Sequence, residues 1–117
     1  MAGGSQVFPR GRRLRRRVDF LAVQKHGRRL AGTNYLLFVR SASSASERLG
    51  ITVSKKVGNA VVRNRVKRWL RESCRRTPGL QPSGSDLVVI ARQSAAGAGL
   101  VATTDELRML LGRLRRP

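Results

Sequence analysis

The chain has 117 residues, 25 of them lysine or arginine and 6 aspartate or glutamate, for a formal charge of +19. That length suits one domain with one modest core, and 40% hydrophobic residues set in periodic clusters exclude a wholly disordered basic tail. A lone cysteine, Cys74, excludes an intrachain disulfide and, with a single histidine, a Cys/His zinc site. Most of the charge is arginine, whose guanidinium forks onto phosphate oxygens and stacks on bases, so composition points to nucleic acid as the partner.

Met1 to Arg17 carries Arg10, Arg12, Arg13, Arg15, Arg16 and Arg17 with no acid. It lacks the apolar stretch of a secretory signal, Pro9 and Gly11 interrupt the amphipathic helix of a transit peptide, and no segment has the length of a membrane span. A cytoplasmic protein with no membrane contact is expected. Blocks of like charge repel and serve as arms that order on an anionic partner. Met1 to Arg17 is therefore expected to be extended or mobile when free.

Asp19 to His26 predicts a short helix whose contact edge is Phe20 and Val23, with Leu21 and Gln24 beside them, closing at Gly27. Tyr35 to Arg40 predicts a strand with Tyr35, Leu37 and Val39 on one face and Leu36, Phe38 and Arg40 on the other. Arg48 to Lys55 predicts a second strand, apolar through Leu49, Ile51 and Val53 and small or polar through Gly50, Thr52 and Ser54. The two are expected to form an antiparallel hairpin with one face on the core and the other open to a ligand.

Lys55 to Arg76 dominates the chain. Asn59 is the natural N-cap of a helix that Pro78 and Gly79 end. At about 100° per residue, Val62, Val66, Trp69, Leu70 and Ser73 share one face, Asn64, Lys67, Arg68, Arg71 and Arg75 the opposite one, and Arg63 and Arg65 the flanks. Glu72 is the one acid among these cations, and repulsion at i,i+4 between Lys67, Arg71 and Arg75 is expected to go unrelieved until a polyanion binds. Cys74, near the end of the stripe, is expected to be a buried, inert thiol.

Asp86 to Arg92 predicts a strand whose unbroken apolar run, Leu87 to Ala91, requires burial on both faces and a central place in the sheet. Thr103 or Thr104 is expected to cap a last helix with Asp105 and Glu106 in its first turn, Leu107, Leu110, Leu111 and Leu114 buried, and Arg113, Arg115 and Arg116 at its end. Strand, basic helix and strand make a βαβ unit in an α+β architecture.

The acids are dispersed and give no carboxylate cluster for a protein-only nuclease. His26, between Lys25 and Arg28, is read as a surface residue and not as a catalytic base. Phe20 and Phe38 fit equally an ordinary core or a base-stacking platform. Trp69 belongs to the core stripe. Asn64 has no structural task in mid-helix, and an RNA or hydrated-metal contact accounts for it better. Arg63 and Arg65 are placed to pack their stems and reach phosphates with their heads. A DNA-binding module is disfavoured because no second helix stands at helix-turn-helix spacing.

Val-Ser-Lys-Lys-Val-Gly-Asn-Ala-Val-Val-Arg-Asn-Arg-Val-Lys-Arg, Val53 to Arg68, resembles the signature of the bacterial ribonuclease P protein subunit, whose mark is an Arg-Asn-Arg helix. Asp19-Phe20 with Lys25-His26-Gly27 resembles that family's first helix and Val89-Ile90-Ala91-Arg92 its last strand, so the resemblance runs from Arg12 to Leu114 and implies a flexible basic arm at residues 1–11 followed by one RNA-binding domain at 12–117. It implies a two-layer αβββαβα sandwich with a small central sheet and a left-handed βαβ crossover, like the second domain of ribosomal protein S5. It implies a protein subunit that binds a catalytic RNA and the 5′ leader of precursor tRNA, one protein per RNA, with the RNA performing the hydrolysis. Mg2+ would act through the RNA, with Asn64 near an RNA-bound ion, no metal held by the protein alone and no protein catalytic residue. RNA subunit and phosphates would be met by Lys55, Lys56, Arg63, Asn64, Arg65, Lys67, Arg68 and Arg71. The leader would lie in a cleft containing Phe20, Gln24, Phe38, Thr52, Ser54 and Arg92. Gln24 stands where the family often has a second aromatic, and Gln93 where a basic residue is common. The alternative is a ribosomal or chaperone-type general RNA-binding protein, which would not distinguish precursor from mature tRNA.

Overall fold

The computed structural model describes residues 13–41 and 47–115; the arm expected at residues 1–11, the centre of the serine and alanine loop, and Arg116 lie outside them. The elements are α1 (Arg17–His26), β1 (Arg28–Ala31), β2 (Tyr35–Ser41), β3 (Arg48–Thr52), α2 (Ala60–Arg76), β4 (Ser85–Ala91) and α3 (Gly99–Gly112), with short 3-10 turns at Gln93–Gly97 and Arg113–Arg115. This is the αβββαβα order. Among the described residues no helix is long and apolar enough to cross a membrane.

The four strands lie in the order β1-β2-β4-β3. β4, with all but Ile90 buried along its length, takes the interior place that its apolar run demands. It pairs antiparallel with β2, Tyr35 opposite Ala91 and Phe38 opposite Val88, and parallel with β3, Leu49 opposite Leu87 and Thr52 opposite Ile90. The expected hairpin between the strands at 35–40 and 48–55 is therefore not formed. β4 inserts between them, because a strand apolar on both faces gains most with a neighbour on each edge, and the other edge of β2 is taken by β1. β1 escaped the sequence pattern because only Leu30 of its four residues is buried and two are arginines. β3 is also shorter than expected; its last predicted residues, Val53 to Lys55, leave the ladder and enter a turn in which Val57 N–H donates to the Ser54 carbonyl at 3.1 Å.

The handedness of the β3-α2-β4 connection follows from one hydrogen bond. Leu14 N–H donates to the Leu49 carbonyl at 2.8 Å, so the main-chain groups of Leu49 point toward residues 13–14 and away from β4. The Leu49 side chain faces the core shared with α2. For an L-residue in a strand running upward with its side chain toward the viewer, those main-chain groups point right, which places β4 on the left with α2 in front. The crossover is left-handed, against the general preference for right-handed parallel connections.

The helical face of the sheet, Leu37, Val39, Leu49, Leu87 and Val89, packs on Val66 and Leu70 of α2 and Leu107, Leu110 and Leu111 of α3. Trp69, Leu114 and the thiol-bearing Cys74 are half-buried against the same core. Tyr35 and Thr103 share a buried hydroxyl hydrogen bond of 2.8 Å. Hence Thr103 is not an N-cap. α3 begins one turn earlier, at Gly99; Thr104 donates back to the Leu100 carbonyl at 2.9 Å; and Glu106, expected in the first turn to suit the helix dipole, instead accepts from the Asn34 and Tyr35 amides at 2.9 and 2.8 Å. Those amides belong to the β1-β2 turn, so a mid-helix carboxylate fixes a hairpin.

On the other face, α1 lies across β4 and β2, burying Val23 against Val88 and Leu14, with Phe20, Phe38 and Ile90 around them. Arg48 forks onto Asp86, Nε–Oδ1 2.9 Å and Nη2–Oδ2 2.8 Å, and approaches Asp19 of α1 at 4.0 Å. Gln81 donates to the carbonyls of Arg48 and Ser85 at 2.7 and 3.0 Å. The linker after α2 is thereby tied to the starts of β3 and β4.

Candidate nucleic-acid interface

α2 is built as the sequence demands. The Asn59 Oδ1 accepts from Val62 N–H at 3.0 Å, and Val66, Leu70 and Ser73 are buried. The one polar group of the stripe is satisfied, since the Ser73 hydroxyl donates to the Trp69 carbonyl and meets the Thr104 hydroxyl at 2.7 Å. Asn64, Arg65 and Arg68 are exposed on the outer side, and Lys55 and Lys56 are exposed in the turn leading into the helix. The expected unrelieved repulsion is confined to the first two-thirds of α2. At its end Glu72 accepts from Arg75 Nε at 2.7 Å and approaches Arg76 at 3.5 Å. The Arg75 hydrogen bond, with the charges of Arg75, Arg76 and Arg68, holds the Glu72 carboxyl below its ordinary value although partial burial opposes this.

Lys67 and Arg71 are only half-exposed, because a segment the sequence did not place lies beside them. Arg13 forms a parallel bridge with Leu49 at the outer edge of β3. A cavity of about 180 Å³ is lined there by Arg13, Arg15, Lys67 and Arg71 over Leu49 and Ile51. Burial first, and then the charge of Arg13, pull the Arg71 guanidinium below its ordinary value. Sequence reasoning missed this grouping because it depends on strand pairing between distant segments. Arg63, on the flank, is half-buried. Its Nε and that of Arg13 are shielded without a hydrogen-bond partner.

The second surface is the cleft between α1 and the sheet. Phe20 and Phe38 belong to one apolar cluster. Register places Gly50, Val88 and Phe38 in one row across the sheet and Thr52, Ile90 and Leu36 in the next. Phe20 lies over Gly50 so closely that a Cβ there would stand 2.7 Å from its Cζ. A cavity of about 410 Å³ is lined by Arg17, Phe20, Leu21, Gln24 and Thr52. Of the predicted cleft residues, Phe20, Gln24 and Thr52 meet in this cavity and Phe38 is in the same cluster as Phe20. Ser54 is exposed two residues past Thr52, and Arg92 is exposed just past β4, on the face of Val88 and Ile90 by alternation; neither lines this cavity. Arg17 and Leu21 were not predicted. Helical spacing from Phe20 and Gln24 was the signal that marks them.

The acids are engaged elsewhere. Asp86 and Asp19 face Arg48, Glu72 holds Arg75, Glu47 accepts from Gly84 N–H, Asp105 is near Arg108, and Glu106 caps the β1-β2 turn. His26 is exposed in the last turn of α1. What the two surfaces offer is cationic and stacking contact with a polyanion.

The family model for ribonuclease P matches residues 8–115. The chain belongs to the ribonuclease P protein family. The ribonuclease P protein component of Desulfovibrio desulfuricans is 43% identical over 114 residues, covering 94% of this chain and 88% of that protein. That of Thermotoga maritima is 43% identical over 89 residues, 76% of each chain. Among solved structures, the Staphylococcus aureus RNase P protein superposes with a TM-score of 0.80 at 31% identity, covering 89% of this chain and 95% of that one. The T. maritima RNase P protein gives 0.78 at 37% identity, covering 89% and 98%. The left-handed crossover and the two surfaces are therefore those of a member of the ribonuclease P protein family.

Proposed function

We propose that this protein is the subunit of ribonuclease P that holds the catalytic RNA against the 5′ leader of precursor tRNA, in the cytoplasm, one protein to one RNA. The observation that carries the reading is continuity. The cleft ends at Thr52, Lys55 and Lys56 follow within one turn, and the exposed side of α2 begins directly after Asn59. Two RNAs seated on the two surfaces meet over residues 52–56.

In this reading Arg63, Asn64, Arg65, Lys67, Arg68 and Arg71 meet the RNA subunit and neighbouring phosphates, and Lys55 and Lys56 bridge to the leader. Phe20 stacks a leader base, which contributes roughly 1–3 kcal/mol with little sequence demand. Phe38 packs beneath, and Ser54 and Arg92 lie outside the cavity. Each carboxylate of the chain lies beside one of its own arginines or amides, so in this reading Mg2+ would be held by the RNA, where it would supply the activated water. The exposed Asn64 carboxamide suits contact with the hydration shell of such an ion.

Reconstitution with the cognate RNA subunit tests this directly. At low magnesium the protein should raise cleavage of precursor tRNA and should bind precursor more tightly than mature tRNA. Equal affinity for the two would instead identify a general RNA-binding protein.

A further inference from the structure

Past Arg68 the two flanks of α2 carry opposite instructions for an anion. At about 100° per residue, Lys67 and Arg71 lie to one side of Arg68, and Glu72 and Arg76 to the other. On the first side Arg13 and Arg15 join Lys67 and Arg71 around a cavity of about 180 Å³ with no acid among its lining residues. Burial and then the charge of Arg13 pull the Arg71 guanidinium below its ordinary value, and an anion seated there relieves the repulsion. The second side is already neutralised. Glu72, the one acid of α2, accepts from Arg75 Nε at 2.7 Å and stands 3.5 Å from Arg76 Nε. The Arg75 hydrogen bond, ahead of the nearby charges, holds its carboxyl below the ordinary value, so it is ionised at neutral pH. A carboxylate between arginines offers them the oxygens that a phosphate would offer, and it repels a phosphate arriving from solution.

We propose that Glu72 marks the edge of the RNA footprint: by occupying Arg75 and Arg76 as an internal stand-in for phosphate, it turns the RNA backbone beyond Arg68 into the groove of Lys67, Arg71, Arg13 and Arg15 and away from the end of the helix. The inference rests on the assignment of α2 to the RNA subunit. Glu72 makes a helix with cations on both flanks one-sided, and so selects one path where charge alone permits two. Arg76, although its side chain is 58% exposed at the end of a basic helix, contributes nothing to RNA binding while Glu72 is in place.

The test measures the affinity of the full chain for the cognate RNA subunit at a series of salt concentrations. Arg71→Met should lower the salt slope by about one phosphate contact, so that raising salt from 50 to 200 mM costs about 3-fold less affinity. Arg76→Gln should leave the slope unchanged. Glu72→Gln should steepen it by about one to two contacts, and in that background Arg76→Gln should lower it by about one. Asp105→Asn makes the same change of charge beside Arg108 on α3 and should leave the slope where it was. Melting curves report the folding of each variant, and Arg76→Gln tests the inference even where Glu72→Gln fails to fold. A slope that falls with Arg76→Gln in the otherwise unaltered protein overturns the inference, as does a Glu72→Gln slope no steeper than that of Asp105→Asn. If Arg68→Ala and Arg71→Met both leave the slope unchanged, the assignment of α2 to the RNA subunit itself fails, and the inference with it.

Discussion

Arg68 and Leu70 stand two positions apart in α2 and face opposite ways, one exposed and the other fully buried. Arg68→Ala should leave the melting temperature nearly unchanged while weakening RNA binding and lowering the salt slope by about one phosphate contact. Leu70→Ala should cost about 2–5 kcal/mol of stability through lost burial and the cavity left behind, read by urea unfolding. The reverse pattern would mean that the faces of α2 are misassigned. Tyr35, the only tyrosine of the chain, gives a second test. Burial raises its phenol above 10.0, the Thr103 hydrogen bond opposes this, and the Glu106 charge adds to it. The unfolded phenol ionises near pH 10 and the folded one does not, so this contribution is complete below pH 10 and lost as pH rises beyond it. Absorbance at 295 nm should accordingly show no tyrosinate until the protein unfolds; a reversible titration near pH 10 in the folded state would contradict the burial of Tyr35. At this scale much was legible. Alternation put Phe38, Thr52 and Tyr35 on their observed faces. Arg13 and Arg15 were not legible, because their partners are set by pairing across the fold.

At the scale of elements, α2 was read closely because cap, stripe and terminator are all local to one segment. Asn59→Ala removes the side chain that accepts from Val62 N–H and should cost about 1 kcal/mol, measurable as a lower denaturation midpoint with an unchanged urea slope. A change below a few tenths would mean that tertiary packing alone sets the start of the helix. Strand partners were harder. Period-2 alternation tells which face a residue occupies but not which strand lies beside it, and adjacency in sequence suggested a hairpin that β4 displaces. α3 was misread at its start for a related reason. Thr103 and Glu106 look like cap and first-turn residues, yet each is committed to Tyr35 or to the β1-β2 turn, and such tertiary use overrides the local signal. β1 carried too few buried residues to announce itself.

Across the whole molecule, a charge of +19, part of it on α2, the edge segment and the cleft, should make binding strongly ionic. If ~6–10 phosphates are engaged, raising salt from 50 to 200 mM should weaken the RNA complex by on the order of 10³ to 10⁵. Titrations at a series of salt concentrations measure this, and a shallow slope would confine contact to a few residues. The resemblance of Val53 to Arg68 carried the architecture, including a crossover that general handedness rules would have reversed.

The position of β4 bears on how the chain comes into being. The strand at the middle of the sheet is synthesised after its three companions and after the basic helix. β1 and β2 can meet early, but β3 has only the short bridge from Arg13 to Leu49 beside it until Ser85–Ala91 emerges. The ribosome, itself largely RNA, therefore holds an incomplete and highly cationic nascent chain until β4 has emerged, and the fold closes only then. Chains arrested before Ser85 should remain sensitive to protease, and those arrested once α3 has emerged should resist it.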